Sequence, residues 1–167
     1  DIIRSVRDKR YRYIRNYEPL KPYFQYMNTP EKGATMKELR RIAKTGKMSP
    51  AMKLFMADRK PVIEFYDLEN DPHEVNNLAN DPAYQKKLKR FAKVHQDWIK
   101  NTRDLGLIPE PEIVLREKKA GSRFAILADT TDKTLPGRLG KMASLASEGA
   151  QALPQLLEGL GDRDAAV

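Results

Sequence analysis

One loop of this 167-residue chain carries side chains that are well suited to binding a ligand. Residues 18–33 contain three prolines, and prolines at this density exclude a helix interior. Aromatic rings in such a loop can stack on a ligand, an amide can donate and accept hydrogen bonds, and an ammonium group can pair with an anion. The candidate binding residues are Lys21, Tyr23, Gln25 and Tyr26. Alternatively, the aromatic side chains only attach the loop to another protein surface.

A second group of polar residues has the carboxylates of a cation site but not the required spacing. Asp67, Glu69 and Asp71 occur at alternate positions. A calcium loop of the EF-hand type needs glycine at its sixth position and a carboxylate at its twelfth. Pro72 and Leu78 occupy those two positions, so the sequence predicts no metal site.

The sequence also predicts no catalytic residue. The chain contains no cysteine, which excludes disulfides, thiolate metal sites and a cysteine nucleophile within it. His95 lies on an apolar helical stripe, and a lone histidine lacks the partners that catalysis needs. We therefore interpret His95 as a hydrogen-bonded residue of a helix.

The net charge of +8 leaves open a nucleic acid, a membrane surface or an acidic glycan as a partner. Acidic residues are interspersed among the basic ones, which favours a solvated surface and argues against nucleic acid. No apolar run approaches about 18 residues, so no membrane span is predicted. One hairpin is rich in arginines, for which a solvated sheet face is favoured over binding of a polyanion. They are Arg4, Arg7, Arg10, Arg12 and Arg15.

The pattern of apolar residues predicts an α+β fold. Residues 2–17 alternate as a β-hairpin, and residues 62–68 return to strand character. Residues 82–103 form a long helix, whose buried stripe would run from Tyr84 to Trp98 at spacings of four and three. This helix would pack on the small antiparallel sheet formed by the hairpin and the strand.

Two shorter helices are predicted between the hairpin and the last strand. Thr35 and Glu38 match a capping box at the start of the first. Ser49 followed by Pro50 matches an N-cap with proline at the first helical position of the second.

Composition divides the chain into three parts. Residues 1–118 form an α+β subdomain, residues 119–134 belong to a linker whose composition begins near residue 110, and residues 135–167 read as the start of an all-α helical repeat. Asp1 leads directly into strand-like sequence without a leader segment, so we expect the chain to be a fragment of a longer protein.

Three segments of the first part together resemble the sulfatase family. Residues 64–79, which read EFYDLENDPHEVNNLA, resemble the hallmark segment LYDLxxDPxExxNLA of that family. Residues 4–14 are similar to the hairpin that opens its C-terminal subdomain. Residues 81–102 are similar to the final helix of the heparan N-sulfatase (N-sulfoglucosamine sulfohydrolase) branch. Separately, residues 152–167 resemble a HEAT-type repeat.

The sulfatase resemblance implies an alkaline-phosphatase-like α/β domain followed by a small subdomain of antiparallel strands. It also implies a formylglycine, made from the first residue of a C/S-x-P-x-R motif, and a calcium held by Asp and Asn side chains. The chain has no cysteine, and none of its serines is followed by x-Pro-x-Arg. No cofactor is therefore expected in this fragment, and both groups are expected in a catalytic domain outside it.

The resemblance thus predicts the C-terminal, non-catalytic part of a sulfatase that hydrolyses sulfate esters or N-sulfates of sulfated sugars. It would complete the fold and border the substrate cleft, where Tyr23, Gln25 and Tyr26 could contact a sugar and Lys21 a sulfate. Its partners would be the catalytic domain of the same chain and the sulfated carbohydrate. A periplasmic or secreted location is expected from the family. The alternative is a stand-alone basic interaction module that binds a protein or a polyanion.

Overall fold

The computed structural model describes residues 2–128. The predicted repeat at 135–167 lies outside the described residues. The chain divides into two compact units, of which the first ends at Phe91 and the second begins at Ala92. None of the helices in the described part is both long and apolar enough to cross a membrane.

The strands of the described residues form a three-stranded antiparallel sheet in the order β1-β2-β3. The strands are β1 (Ile3–Arg7), β2 (Tyr11–Asn16) and β3 (Ile63–Asp67). Aromatic and β-branched residues at alternate positions favour this extended backbone. The predicted hairpin at 2–17 and strand at 62–68 are confirmed, and so is the α+β class.

A turn held by one carboxylate connects β1 to β2. The Oδ1 atom of Asp8 accepts hydrogen bonds from the backbone N–H groups of Arg10 at 2.9 Å and Tyr11 at 2.7 Å. The hydrogen bond from Tyr11, followed by the one from Arg10, lowers the pKa of Asp8 despite the opposing effect of burial. The side chain of Arg10 then reaches Asp67 at the end of β3 through two hydrogen bonds of 2.9 and 2.7 Å, which tie the hairpin to the third strand.

The main core of the first unit lies on one face of the sheet. Tyr11, Tyr13 and Phe65 project from this face, and Phe65 is completely buried. The rings of Tyr11 and Phe65 are stacked with centroids 5.5 Å apart, and Phe91 meets Phe65 edge-on at 5.5 Å. Phe91 belongs to α4 (Gln85–Thr102), so the N-terminal half of this helix covers the aromatic face.

A short 3-10 turn, Pro82–Tyr84, leads into α4, and the predicted helix at 82–103 is confirmed. Its buried side chains are not all those predicted, because Trp98 is 48% exposed whereas Ile99 is completely buried. Three turns of an α-helix take about 11 residues, so the position in line with Leu88 is Ile99 and not Trp98. His95 is buried, as expected for the stripe.

Three short helices connect β2 to β3: α1 (Asn28–Lys32), α2 (Ala34–Thr45) and α3 (Pro50–Phe55). The loop predicted at 18–33 therefore ends in helix α1. The capping box predicted at Thr35 is wrong, because α2 begins at Ala34 with Gly33 as its N-cap. The start predicted for α3 is confirmed, since the Oγ atom of Ser49 accepts a hydrogen bond from the N–H of Met52 at 3.3 Å.

The second unit contains a 3-10 turn (Leu105–Leu107) and helices α5 (Glu110–Ala120) and α6 (Arg123–Ala128). Composition predicted a linker here, but Pro111 near the helix start and two glutamates in the first turn are typical of a helix N-terminus. The side chains of Ile113 and Ile126 are buried. The domain limits at residues 118 and 134 stay a prediction.

Candidate functional site

A cavity of about 330 Å³ opens on the opposite face of the sheet from the aromatic core. Successive side chains of a strand point to opposite faces, so the strand residues that line the cavity alternate with those of the core. Helix α3 and the segments next to β3 supply the remaining walls. The sheet contributes Ile3, Ile14, Asn16, Glu64 and Tyr66, helix α3 contributes Ala51, Leu54 and Phe55, and the connecting segments contribute Tyr23, Pro61, Glu74, Val75 and Asn77.

The polar centre of this cavity is the carboxylate of Glu64, which is only 4% exposed. Its Oε1 atom accepts a hydrogen bond from Nδ2 of Asn16 at 2.6 Å, and its Oε2 atom accepts one from the hydroxyl of Tyr66 at 2.5 Å. The hydroxyl of Tyr23 is also hydrogen-bonded to Glu64. A buried carboxylate is stable when several donors surround it in this way.

The two tyrosines are hydrogen-bond donors to Glu64. Burial raises the pKa of Tyr66 and of Tyr23, and the hydrogen bond to the negatively charged Glu64 raises both further. A general acid or base works best when its pKa lies near the operating pH. The arrangement therefore fits a structural or binding role better than catalysis.

Asn16 leaves one buried acceptor of the cavity without a partner. Its Nδ2 atom donates to the backbone carbonyl of Pro61 at 2.7 Å as well as to Glu64. Both neighbours are acceptors, so the orientation of the amide is fixed by its surroundings. The Oδ1 atom is buried and has no hydrogen-bond partner among the described residues.

Three of the hairpin arginines form ion pairs or are buried, which differs from a simple solvated sheet face. Arg12 forms an ion pair of 2.5 Å with Glu74, which itself lines the cavity. Arg10 binds Asp67, as described above, and also pairs with Glu69 at 2.8 Å. The prediction is wrong for Arg15, which is 3% exposed and whose pKa is lowered by burial.

The structure separates the four predicted loop residues. Tyr23 lines the cavity, whereas the ammonium group of Lys21 is paired with Glu18 at 2.5 Å. Gln25 is half-buried, and Tyr26 is 75% exposed. Binding of a substrate by these residues stays a prediction.

Part of the loop is attached to helix α3 of the same chain. The ring of Phe24 lies 6.1 Å from that of Phe55 on helix α3, measured between centroids. The guanidinium of Arg40 lies over the ring of Phe24, 5.2 Å from its centroid. These contacts hold the loop next to α3 and bring Tyr23 to the cavity.

The sequence did not single out Glu64, Asn16 or Asn77 as members of one site. Glu64 carried a signal, because it is a charged residue between the apolar side chains of Ile63 and Phe65. Asn77 bonds the outer edge of β3, where its Oδ1 atom accepts from the N–H of Phe65 at 3.0 Å and its Nδ2 atom donates to the carbonyl of Ile63 at 3.1 Å. The neighbours of Asn77 in the sequence do not indicate its position at the strand edge.

The carboxylates that were considered as a cation site have protein partners. Asp67 accepts from Asn70 at 3.0 Å in addition to Arg10. Over residues 2–128, no group of three or more His, Cys, Asp or Glu side chains is arranged to hold a metal ion. We therefore identify none of these residues as a ligand of the calcium that the sulfatase resemblance implies.

The chain is similar to two known proteins. No family model matches the chain. It is 40% identical over 114 residues to a protein of Formosa agariphila named ulvan-active sulfatase, and the match covers 68% of this chain and 19% of the relative. It is 31% identical over 133 residues to a second protein of that name from the same organism, covering 80% of this chain and 24% of the relative.

The two matches support the sulfatase resemblance predicted from residues 2–118. The chain spans about a fifth to a quarter of the length of these curated relatives. The heparan N-sulfatase branch and the HEAT-type repeat stay predictions.

Proposed function

We propose that this sulfatase-related chain is the C-terminal, non-catalytic part of a longer sulfatase, in which it completes the fold and borders the substrate cleft. The observation that carries the proposal is 40% identity over 114 residues, confined to 19% of a sulfatase. The absence of a C/S-x-P-x-R motif from the sequence agrees with a non-catalytic role. The catalytic groups, including formylglycine and calcium, would then lie in the part of the sulfatase outside this chain.

The substrate class that we propose is a sulfated carbohydrate. Both relatives are named for activity on ulvan, which favours a polysaccharide substrate. The resemblance of residues 81–102 to the heparan N-sulfatase branch keeps N-sulfates beside sulfate esters as the bond that is cleaved. A periplasmic or secreted location is proposed on the same family grounds.

Tyr26 is the loop residue best placed to meet such a substrate. It is 75% exposed, so its ring is free to stack on a sugar, whereas Tyr23 is committed to Glu64. Pairs of aromatic rings contribute about 0.5–1.5 kcal/mol beyond simple burial, and we take the same range for a ring stacked on a sugar. Because a difference of about 1.4 kcal/mol is tenfold, loss of the ring should raise KM by roughly two- to tenfold.

The test uses the complete sulfatase and two exposed positions. Sulfate release is measured from ulvan and from N-sulfated heparan, with Tyr26→Ala compared against Lys89→Ala on α4 as the control. We expect a raised KM and a nearly unchanged kcat for Tyr26→Ala alone. An unchanged KM contradicts the role of the loop, and sulfate release by the 167-residue chain by itself contradicts the non-catalytic assignment.

The alternative of a stand-alone basic module draws on the net charge of +8. The structure supports this alternative less than the sequence did, because Arg10 and Arg12 are paired with carboxylates and Arg15 is buried. Binding of the chain to heparin or DNA that weakens with added salt would favour this alternative. No measurable binding at low salt would remove it.

A further inference from the structure

Helix α2 presents four cationic side chains on one side. They are Lys37, Arg40, Arg41 and Lys44. Each lies three residues from one of the others and four residues from another, and residues at these spacings are neighbours on the surface of a helix. Like charges at such spacings destabilise a helix, so the four cations occur together at a cost to the stability of α2. We call these four residues the cationic cluster.

Carboxylates neutralise only half of the cationic cluster. Glu31 and Glu38 each bind one of the two arginines through both carboxylate oxygens. The side chains of Lys37 and Lys44 are exposed, and within residues 2–128 neither forms an ion pair. Two ammonium groups therefore remain for a ligand. They lie seven residues apart, which is about 10 Å along the helix axis.

The cationic cluster adjoins the loop for which contact with the substrate is proposed. The guanidinium of Arg40 lies 5.2 Å from the centroid of the Phe24 ring, and Phe24 precedes the exposed Tyr26 by two residues. The ion pair between Arg40 and Glu31 also ties α2 to α1, which begins two residues after Tyr26. A polymer bound at this loop therefore has a cationic surface beside it.

We propose that the cationic cluster binds the part of an anionic polysaccharide that extends beyond the sugar residue undergoing reaction, an inference that rests on the proposed function. An ammonium group binds a sulfate or a carboxylate as a point charge on a flexible stem, so it tolerates differences in the placement of the anion. The separation of about 10 Å between Lys37 and Lys44 is comparable to the length of a disaccharide, so both can meet anionic groups of successive repeats. This predicts more efficient sulfate release from long chains than from short oligosaccharides.

Two observations favour a polysaccharide over a nucleic acid as the ligand. Proteins bind single-stranded nucleic acids through aromatic side chains on which the bases stack, and α2 contains no aromatic residue. Both relatives are named for activity on ulvan, which is a polysaccharide.

The test compares long and short substrates of the complete sulfatase. Lys37→Gln combined with Lys44→Gln removes both ammonium groups and leaves Arg40, with its contact to the loop, unchanged. The control combines Lys86→Gln with Lys89→Gln, which removes the same charge from exposed positions of α4. Sulfate release is measured from ulvan and from short oligosaccharides prepared from it.

We expect KM for ulvan to rise about two- to tenfold in the α2 variant, because two exposed ion pairs with the polymer are lost. KM for the oligosaccharides and kcat for both substrates should stay unchanged, which also shows that the variant is folded. Added salt should reduce the difference in KM, since salt screens exposed charges. Lys37→Arg combined with Lys44→Arg should retain the KM of the unsubstituted sulfatase.

Three kinetic outcomes would each overturn the proposal. They are an unchanged KM for ulvan in the α2 variant, an equal rise in KM for ulvan and the oligosaccharides, and an equal rise in the α4 control.

Affinity electrophoresis in gels that contain ulvan measures binding without catalysis. Retardation that is lost in the α2 variant, in a protein that releases no sulfate, would refute the proposed function alone. Sulfate release without such a loss would refute this inference alone. Retardation by DNA with the same dependence on Lys37 and Lys44 would mean that the cluster binds any polyanion, and it would overturn the assignment to a polysaccharide.

Discussion

The substitution Glu64→Gln tests whether the buried carboxylate organises the cavity. Glutamine has nearly the shape of glutamate, so the change alters charge and hydrogen bonding with little change in volume. Glu64 accepts hydrogen bonds from Asn16 at 2.6 Å and from Tyr66 at 2.5 Å, one on each oxygen. In the variant one of these two donors faces an NH2 group instead of an oxygen.

The size of the effect follows from these contacts. A hydrogen bond to a charged group contributes about 1.5–3 kcal/mol, and a buried donor left without an acceptor costs about 1–3 kcal/mol. Removing a buried charge offsets part of this loss, because a carboxylate is costly to bury. We therefore expect Glu64→Gln to lower the free energy of unfolding by about 2–3 kcal/mol.

The assay is urea denaturation of the chain, followed by circular dichroism. The matched control is Glu38→Gln, which removes the charge of an exposed ion pair with Arg41 on helix α2 and should change stability far less. Titration by absorbance at 295 nm adds a second readout, since loss of the negative charge should lower the pKa of Tyr66. Equal denaturation midpoints for the two variants would refute the reasoning.

Two predictions concern pH. Burial raises the pKa of Tyr13 and of Tyr66 above the usual 10.0, so the stability that they contribute is complete below pH 10 and is lost as the pH rises through their folded-state values. In an alkaline titration these tyrosines should ionise together with the loss of the circular dichroism signal; ionisation of all seven near pH 10 in a folded chain would contradict this. The hydrogen bonds from Arg10 lower the pKa of Asp67 below the usual 3.8, so its contribution is complete above that pH and is lost as the pH falls through the folded-state value. Urea midpoints at pH 7 and pH 3 should therefore differ less in Asp67→Asn than in the unsubstituted chain, and an equal difference in both would count against the ion pair.

The strands were predictable because their signal is local. Alternation over 2–17 and the strand character of 62–68 depend only on neighbouring residues, and the sheet that they form was confirmed. Details that depend on helix geometry were harder to predict. Alternating spacings of four and three placed Trp98 in the buried stripe of the helix, but the structure buries Ile99 instead. The capping-box match at Thr35 could not show that α2 begins at Ala34.

The cavity could not be read from the sequence because its members are brought together by the sheet register. Asn16 and Glu64 are 48 residues apart, and they meet because β2 pairs with β3 so that Glu64 lies opposite Ile14. The loop containing Tyr23 was predicted as a ligand site from its residue types. Its contact with Glu64 depends on a partner 41 residues away, which composition cannot identify.

The side chain of Asn77 has a consequence for self-association. β3 is an edge strand, and an open edge presents N–H and C=O groups that recruit strands from other molecules. Here the carboxamide of Asn77 accepts a hydrogen bond from the outward N–H of Phe65 and donates one to the outward C=O of Ile63. The N–H of Leu78 donates to the C=O of Phe65 at 2.8 Å. The segment that carries the family resemblance therefore also terminates the sheet, and it denies a foreign strand the hydrogen bonds with which amyloid-like growth would begin on this side.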